Sequence, residues 1–140
     1  MLEEQQKKQL YELFLKQRFA VIATQTSNQP YTSLVAFSST EDLSLLFFAT
    51  LRQTRKYESI LQNTKISMLI DNRQNLSSDI KNAIAVTIVG NASEIKDDRQ
   101  RFMEIHLKKH PYLKDFLLDS NCALIGLSVE KISIVRQFIN

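Results

Sequence analysis

The chain has 140 residues, 44% hydrophobic and 24% charged, with a net charge of +3. That is the length of one ordinary globular domain. Only two glycines and two prolines occur, so collagenous, linker-rich and glycine-loop phosphate-binding chains are excluded. The modest charge excess falls short of a dedicated nucleic-acid binder. A single cysteine, Cys122, allows neither an internal disulfide nor a cysteine-based zinc site, and a reducing compartment is expected.

The first stretch, residues 3–18, reads as a helix. Leu10 and Phe14 share a face, as do Tyr11 and Leu15, against a polar remainder of Glu3, Glu4, Gln5, Gln6, Lys7 and Lys8. This opening is too polar for the apolar core of a signal peptide. No apolar run anywhere approaches the roughly 20 residues needed to span a membrane. The expectation is a cytoplasmic protein without a membrane or nucleic-acid partner.

The period then changes from helix to strand. Residues 19–24 form a short β-branched apolar run, residues 27–30 a turn, and residues 31–37 a second strand, which suggests an antiparallel hairpin. A turn at 38–42 leads to a third strand at 43–49. Residues 53–62 read as a helix with Tyr57, Ile60 and Leu61 on one face. A fourth strand follows at 65–70, a polar irregular stretch at 71–78, and a fifth strand from Ala83 towards Ile95, with Gly90 marking a bulge or bend. Residues 97–109 read as a helix stopped by Pro111 and followed by a helical turn at 112–118. Two final strands are expected at 122–129 and 132–138. Strands joined by tight turns disfavour a parallel βαβ repeat. An antiparallel barrel of about seven strands with helices outside, a mainly β (α+β) fold, hides the strand edges most simply.

The most informative segment is Phe48-Ala-Thr-Leu-Arg-Gln-Thr-Arg-Lys56. A strand ends near Ala49 and a helix begins near Gln53 or Thr54. Helix N-termini carry unpaired N–H groups and partial positive charge, and so favour anions. Arg55 and Lys56 in the first turn oppose that dipole unless an anion compensates. Thr50, Thr54 and the two cations together have the chemistry of a phosphate site. From spacing alone, a solvated basic turn explains them equally well.

These residues carry a resemblance. The segment resembles the phosphate-binding stretch of the pyridoxamine 5′-phosphate oxidase-like, FMN-binding split-barrel family: aromatic, variable, Thr, three variable positions, Ser or Thr, Arg, Lys. Thr50, Thr54, Arg55 and Lys56 match it position by position. Thr32-Ser-Leu-Val-Ala36 is similar to the family strand whose backbone lies along the flavin, and Lys65-Ile-Ser-Met-Leu-Ile-Asp71 to the next barrel strand.

The resemblance covers residues 17–95 well and the ends in outline. It implies an antiparallel split β-barrel, with residues 1–140 forming one FMN-binding domain. By it, Thr54, Arg55 and Lys56 hold the FMN phosphate, Thr50 contacts the flavin or ribityl chain, and Ser33, Leu34 and Val35 offer backbone groups to the ring. It also implies a homodimer with the flavin at the subunit interface, and an oxidoreductase whose substrate and electron donor are not indicated. Asn72, Arg73 and Asn75 would meet the flavin's polar edge or the other subunit, although residue types alone describe a turn.

Two departures stand out. The oxidases that make pyridoxal phosphate carry Arg and Lys where this chain has Tyr31 and Ala36, and they end in an Arg/His segment absent from Ile134-Val-Arg-Gln-Phe-Ile-Asn140. Vitamin B6 oxidation is therefore not expected. The alternatives are a non-catalytic flavin- or haem-binding protein and a deazaflavin-dependent reductase on the same fold.

No side chain stands out as a catalytic acid or base. His106 and His110 have the spacing of a metal clip, but two ligands seldom make a site, and such pairs are usually solvated; no metal is assigned. Cys122 reads as a buried, inert thiol. Lys7, Lys8, Lys16 and Arg18 read as a solvated face, and Lys108, Lys109 and Lys114 as a second basic cluster. Phe37, Phe47 and Phe48 are assigned to the core.

Overall fold

A computed structural model describes residues 2–137. Helix α1 (Glu4–Lys16) opens with the Glu3 amide donating to the Gln6 side chain, and it buries Leu10 and Phe14. Strand β1 (Phe19–Thr26) alternates so that Ala20, Ile22 and Thr24 turn inward. Ser27 and Asn28, at φ +50° and +66°, close a two-residue hairpin turn into β2 (Gln29–Ser39). Strand β3 (Leu45–Leu51) follows a turn organised by Asp42. The Ser44 backbone amide and the hydroxyls of Ser44 and Thr40 all donate to that carboxylate and pull its pKa down to about 2.

Next come α2 (Arg55–Gln62), β4 (Lys65–Asp71), the single turn α3 (Asp79–Asn82) and β5 (Ile84–Glu94). Helix α4 (Arg99–Lys109), a 3-10 turn (Pro111–Leu113) and α5 (Lys114–Leu118) lead to β6 (Cys122–Arg136). The strands close into an antiparallel barrel in the order β1-β2-β3-β6-β5-β4.

The barrel has six strands rather than the expected seven. The two strands expected at 122–129 and 132–138 are one, with Phe138 lying outside the described residues. The polar pair Glu130-Lys131 looks like a turn but is a bulge: Val89 pairs with Lys131 and Gly90 with Val129, leaving Glu130 extra. Gly90 makes this possible, because a Cβ there would lie 1.9 Å from the Ser128 carbonyl oxygen. The sequence reading of Gly90 as a bulge holds.

Inside the barrel, Ile22, Phe37, Leu46, Phe48, Met68, Ile70, Val86, Ile88, Ile125 and Leu127 form the core, which also includes Leu10 and Phe14 of α1. A second cluster sits outside, where Phe47, Cys122 and Leu124 of β3 and β6 meet Met103 of α4 and Leu117 of α5. Leu61, placed on the buried face of α2 from its spacing, is instead exposed.

The histidine pair also differs from expectation. His106 and His110 are buried, because α4 packs against β2. His106 Nδ1 lies 2.7 Å from Ser38 Oγ and His110 Nε2 lies 2.8 Å from the Phe37 carbonyl oxygen. Lys109, read as part of a surface cluster, turns inward to donate to the carbonyls of Phe14 and Phe37. Among the described residues, no helix is long and apolar enough to cross a membrane.

Candidate functional site

Strand β3 ends at Leu51, and the chain turns immediately into α2. Thr54 is the N-cap: its Oγ1 accepts from the Tyr57 amide at 3.3 Å. The same hydroxyl donates to the Leu51 carbonyl at 2.9 Å. Thr50 Oγ1 completes the knot, 2.9 Å from Thr54 Oγ1. Thr50 is fully buried, so its hydroxyl serves this turn in the structure as it stands.

The basic residues of the segment divide by direction. Arg52 turns back to Glu94, at 2.6 Å, and donates to the carbonyls of Ser120 and Cys122. Glu94 also accepts from the Tyr57 hydroxyl at 3.2 Å. This network ties the β3–α2 turn to β5 and β6, and the hydrogen bond to Glu94 raises the Arg52 pKa.

Arg55 and Lys56 occupy the first two positions of α2. Among the described residues neither makes an ion pair, and Arg55 stacks at 4.7 Å over the Tyr31 ring. Glu58 is the acidic residue of the same helical turn. Two cations without an ion pair among the described residues thus stand where the helix dipole is already positive.

Tyr31 brings β2 into the site. Residues 29–36 of β2 pair with β1, but pairing with β3 begins only at Phe37. Among the described residues no strand pairs with their other edge, and its backbone groups are available to a ligand. Within this open segment, Ser33 is half-buried, Leu34 is 64% exposed on the outer face opposite Val21, and Val35 is buried. In the sequence, Tyr31 is only a departure from the family pattern. Its role as the platform for Arg55 depends on α2 folding back over the hairpin.

The turn after β4 is held largely by its own contacts. Asn72 donates to the Asn82 carbonyl and accepts from the Ile84 amide, at 2.9 and 2.8 Å. Arg73 pairs with Asp71 at 2.6 Å. Asn75, at φ +64°, donates its amide to Asp79. Arg73 and Asn75 nevertheless line an outer groove of about 540 Å³ with Leu34, Phe19, Val21 and Leu69. Of the ten residues expected at the site, Thr50, Thr54, Arg55 and Lys56 gather at the α2 start, and Leu34, Arg73 and Asn75 line this groove; Ser33 lies on the open segment of β2, Val35 is buried in the barrel core, and Asn72 lines a different cleft beside α1. Leu34 and Tyr31 are three residues apart on one strand, a separation of about 10 Å.

The outer wall next to the groove mixes apolar residues with Ser67, Thr87, Ser133 and Lys131. Rows of paired residues run Leu34–Val21–Leu69–Thr87–Ser133 and Ala23–Ser67–Val89–Lys131, with Phe19, Ala85 and Val135 beside them. Phe19, Leu34, Val89 and Val135 are 40–64% exposed.

A family model described as pyridoxamine 5′-phosphate oxidase matches residues 6–136. None of the curated proteins matches the sequence significantly. Among solved structures, the heme binding protein from Mycobacterium smegmatis is 15% identical with a TM-score of 0.84, over 100% of this chain and 57% of that one. The chain thus spans little more than half the length of that protein. An FAD-binding protein from Mesorhizobium loti is 15% identical with a TM-score of 0.68, covering 95% of this chain and 94% of its own. The heme storage protein from Vibrio cholerae is 14% identical with a TM-score of 0.74, covering 91% and 92%. At these identities the likeness establishes the fold.

Proposed function

The chain belongs to the pyridoxamine 5′-phosphate oxidase family, and from that premise we propose that it is an FMN-binding flavoprotein, an oxidoreductase working as a homodimer in the cytoplasm. The observation that carries this reading is the start of α2, where Arg55 and Lys56 stand without an ion pair among the described residues at a capped helix N-terminus, beside the open edge of β2. The residues fit the group. A phosphate there would accept from helix amides and from both side chains, and would neutralise charge that no ion pair among the described residues neutralises.

Arg55 and Lys56 would hold the phosphate, with Thr54 fixing the turn. The open edge of β2 around Ser33 to Val35 would orient the ring through backbone groups. Arg73 and Asn75 would close the far end of the groove. A bound flavin supplies hydride and electron transfer; the protein supplies grip, orientation and exclusion of water. The bare, partly apolar wall suits a second copy of the chain, which would cover the groove and complete the site.

FMN titration, followed by flavin fluorescence, tests the reading. Wild-type protein should bind FMN, and Arg55→Ala with Lys56→Ala should weaken binding about a hundredfold, the loss of two charge-assisted contacts. Unchanged affinity in a folded double mutant would remove the phosphate assignment. Parallel titration with a deazaflavin decides between the cofactors. The haem alternative has the folds of two haem proteins in its favour. Against it, both histidines are buried, their rings packed under α4. Haem should therefore bind, if at all, without the spectrum of axial histidine ligation.

A further inference from the structure

A second cleft, of about 550 Å³, lies between the C-terminal end of α1, the end of β2 and α4. Four cations line it, Lys16, Arg18, Lys108 and Lys109, together with apolar Phe14, Leu15 and Ile105. Tyr11, Ser38 and Ser39 add hydroxyls, and among the described residues no carboxylate lines it. Among the described residues none of its four cations makes an ion pair.

Lys109 is the centre of the cleft. Its Nζ donates to the Phe14 and Phe37 carbonyls at 2.6 and 2.9 Å and sits 3.8 Å from the Phe37 ring centroid. An ammonium has three N–H donors, so one remains. The carbonyls fix the head beside the buried Phe37 ring, where a charge interacts more strongly than in bulk water. The surrounding groups are positive or neutral: Arg18 before β1, Lys16 and Tyr11 on α1, Lys108, His106 and His110 on α4, and Ser38 and Ser39 on β2.

We propose that this cleft binds a small organic acid, its carboxylate on Lys109 and Arg18 and its aryl or short acyl body against Phe14, Leu15 and Ile105. The volume suits such a ligand and exceeds what an inorganic anion needs. The crowding of positive charge supports this. Burial and the neighbouring Arg18 lower the Lys109 pKa to about 7, so an arriving anion relieves a repulsion that no protein carboxylate offsets. The cleft is separate from the start of α2, and it shares Lys16 and Arg18 with the outer groove beside Leu34.

The test is an amide-resolved NMR titration of the full chain with benzoate and octanoate, with benzamide and inorganic phosphate as controls. Saturable shifts at Ser38, Ser39, Ile105 and Lys109 are expected with the acids, and binding at least about tenfold weaker with benzamide. Lys109→Met should abolish the response. Because Lys109 also holds two carbonyls, the exposed Lys108→Glu is the second variant; it should weaken the acids about tenfold while leaving FMN affinity unchanged. Affinity should fall as pH rises from 7 to 9 and Lys109 loses its proton. The proposal is overturned if the acids cause no saturable shifts, if the shifts map elsewhere, if benzamide or phosphate alone binds as well, or if Lys108→Glu binds like wild type.

Discussion

The outer wall of the barrel is treated in two ways. On β3 and β6, outward residues such as Phe47 and Leu124 lie under α4 and α5 and are completely buried. On β1, β2, β4, β5 and the end of β6, several outward residues of the same apolar character face solvent among polar ones, including Leu34 at 64% and Phe19 at 55% exposed. Strand alternation is alike on both sides. The covered wall is closed by helices from its own chain. The bare wall flanks the groove that holds Leu34, Arg73 and Asn75, and it is the side we assign to a second copy.

Three changes break or sharpen this contrast. The largest effect is expected on the covered wall. Phe47→Ala removes a ring packed at 5.3 Å against Phe102 and 5.8 Å from His106, and should cost about 3–5 kcal/mol in urea unfolding. A cost below about 1 kcal/mol would mean that α4 and α5 cover the wall without packing on it.

Acid comes next. Burial, and then the nearby positive charges of His110 and Lys109, hold His106 at a pKa of about 3, against 6.5 when unfolded. Its Nε2 also has no partner for a proton among the described residues. Below pH 6.5 the unfolded chain takes up a proton that the folded chain refuses. Stability is thus full above that pH and is lost as pH falls towards 3, by at most about 1.4 kcal/mol per pH unit from this group. His106→Gln should flatten that slope in acid unfolding monitored by circular dichroism. An unchanged slope would place the acid sensitivity elsewhere.

The smallest stability effect belongs to the bare wall. Leu34→Asp should change the intrinsic stability of the chain by no more than about 0.5 kcal/mol, as surface changes usually do. Light scattering should nevertheless show the dimer reduced to monomer. A Leu34→Asp protein with the mass and FMN affinity of wild type would free this wall from the assembly and leave the flavin to a single chain.

Much of the candidate site was legible because its signals are local. The strand-to-helix junction after Thr50, the capping Thr54 and the two cations behind it depend on residues within one turn of one another. Arg52 and Arg55 look equivalent in that segment, yet Arg52 meets Glu94, 42 positions away, and Arg55 meets Tyr31. No local pattern separates them. The histidine pair was legible only as a spacing; burial under α4 engages one nitrogen of each ring with β2. Lys109 likewise reads as a surface lysine until the chain ends of α1 and β2 present their carbonyls to it.

Periodicity and turn chemistry, properties of neighbouring residues, were enough to place every strand-forming segment, the main helices and the basic start of α2. They could not join 122–136 into one strand, because that depends on Gly90 admitting Ser128 from across the sheet. Nor could they tell the covered wall from the bare one, since an outward Phe47 and an outward Leu34 obey the same alternation. Barrel closure and the docking of α4 and α5 made that distinction, through contacts between residues remote in the chain.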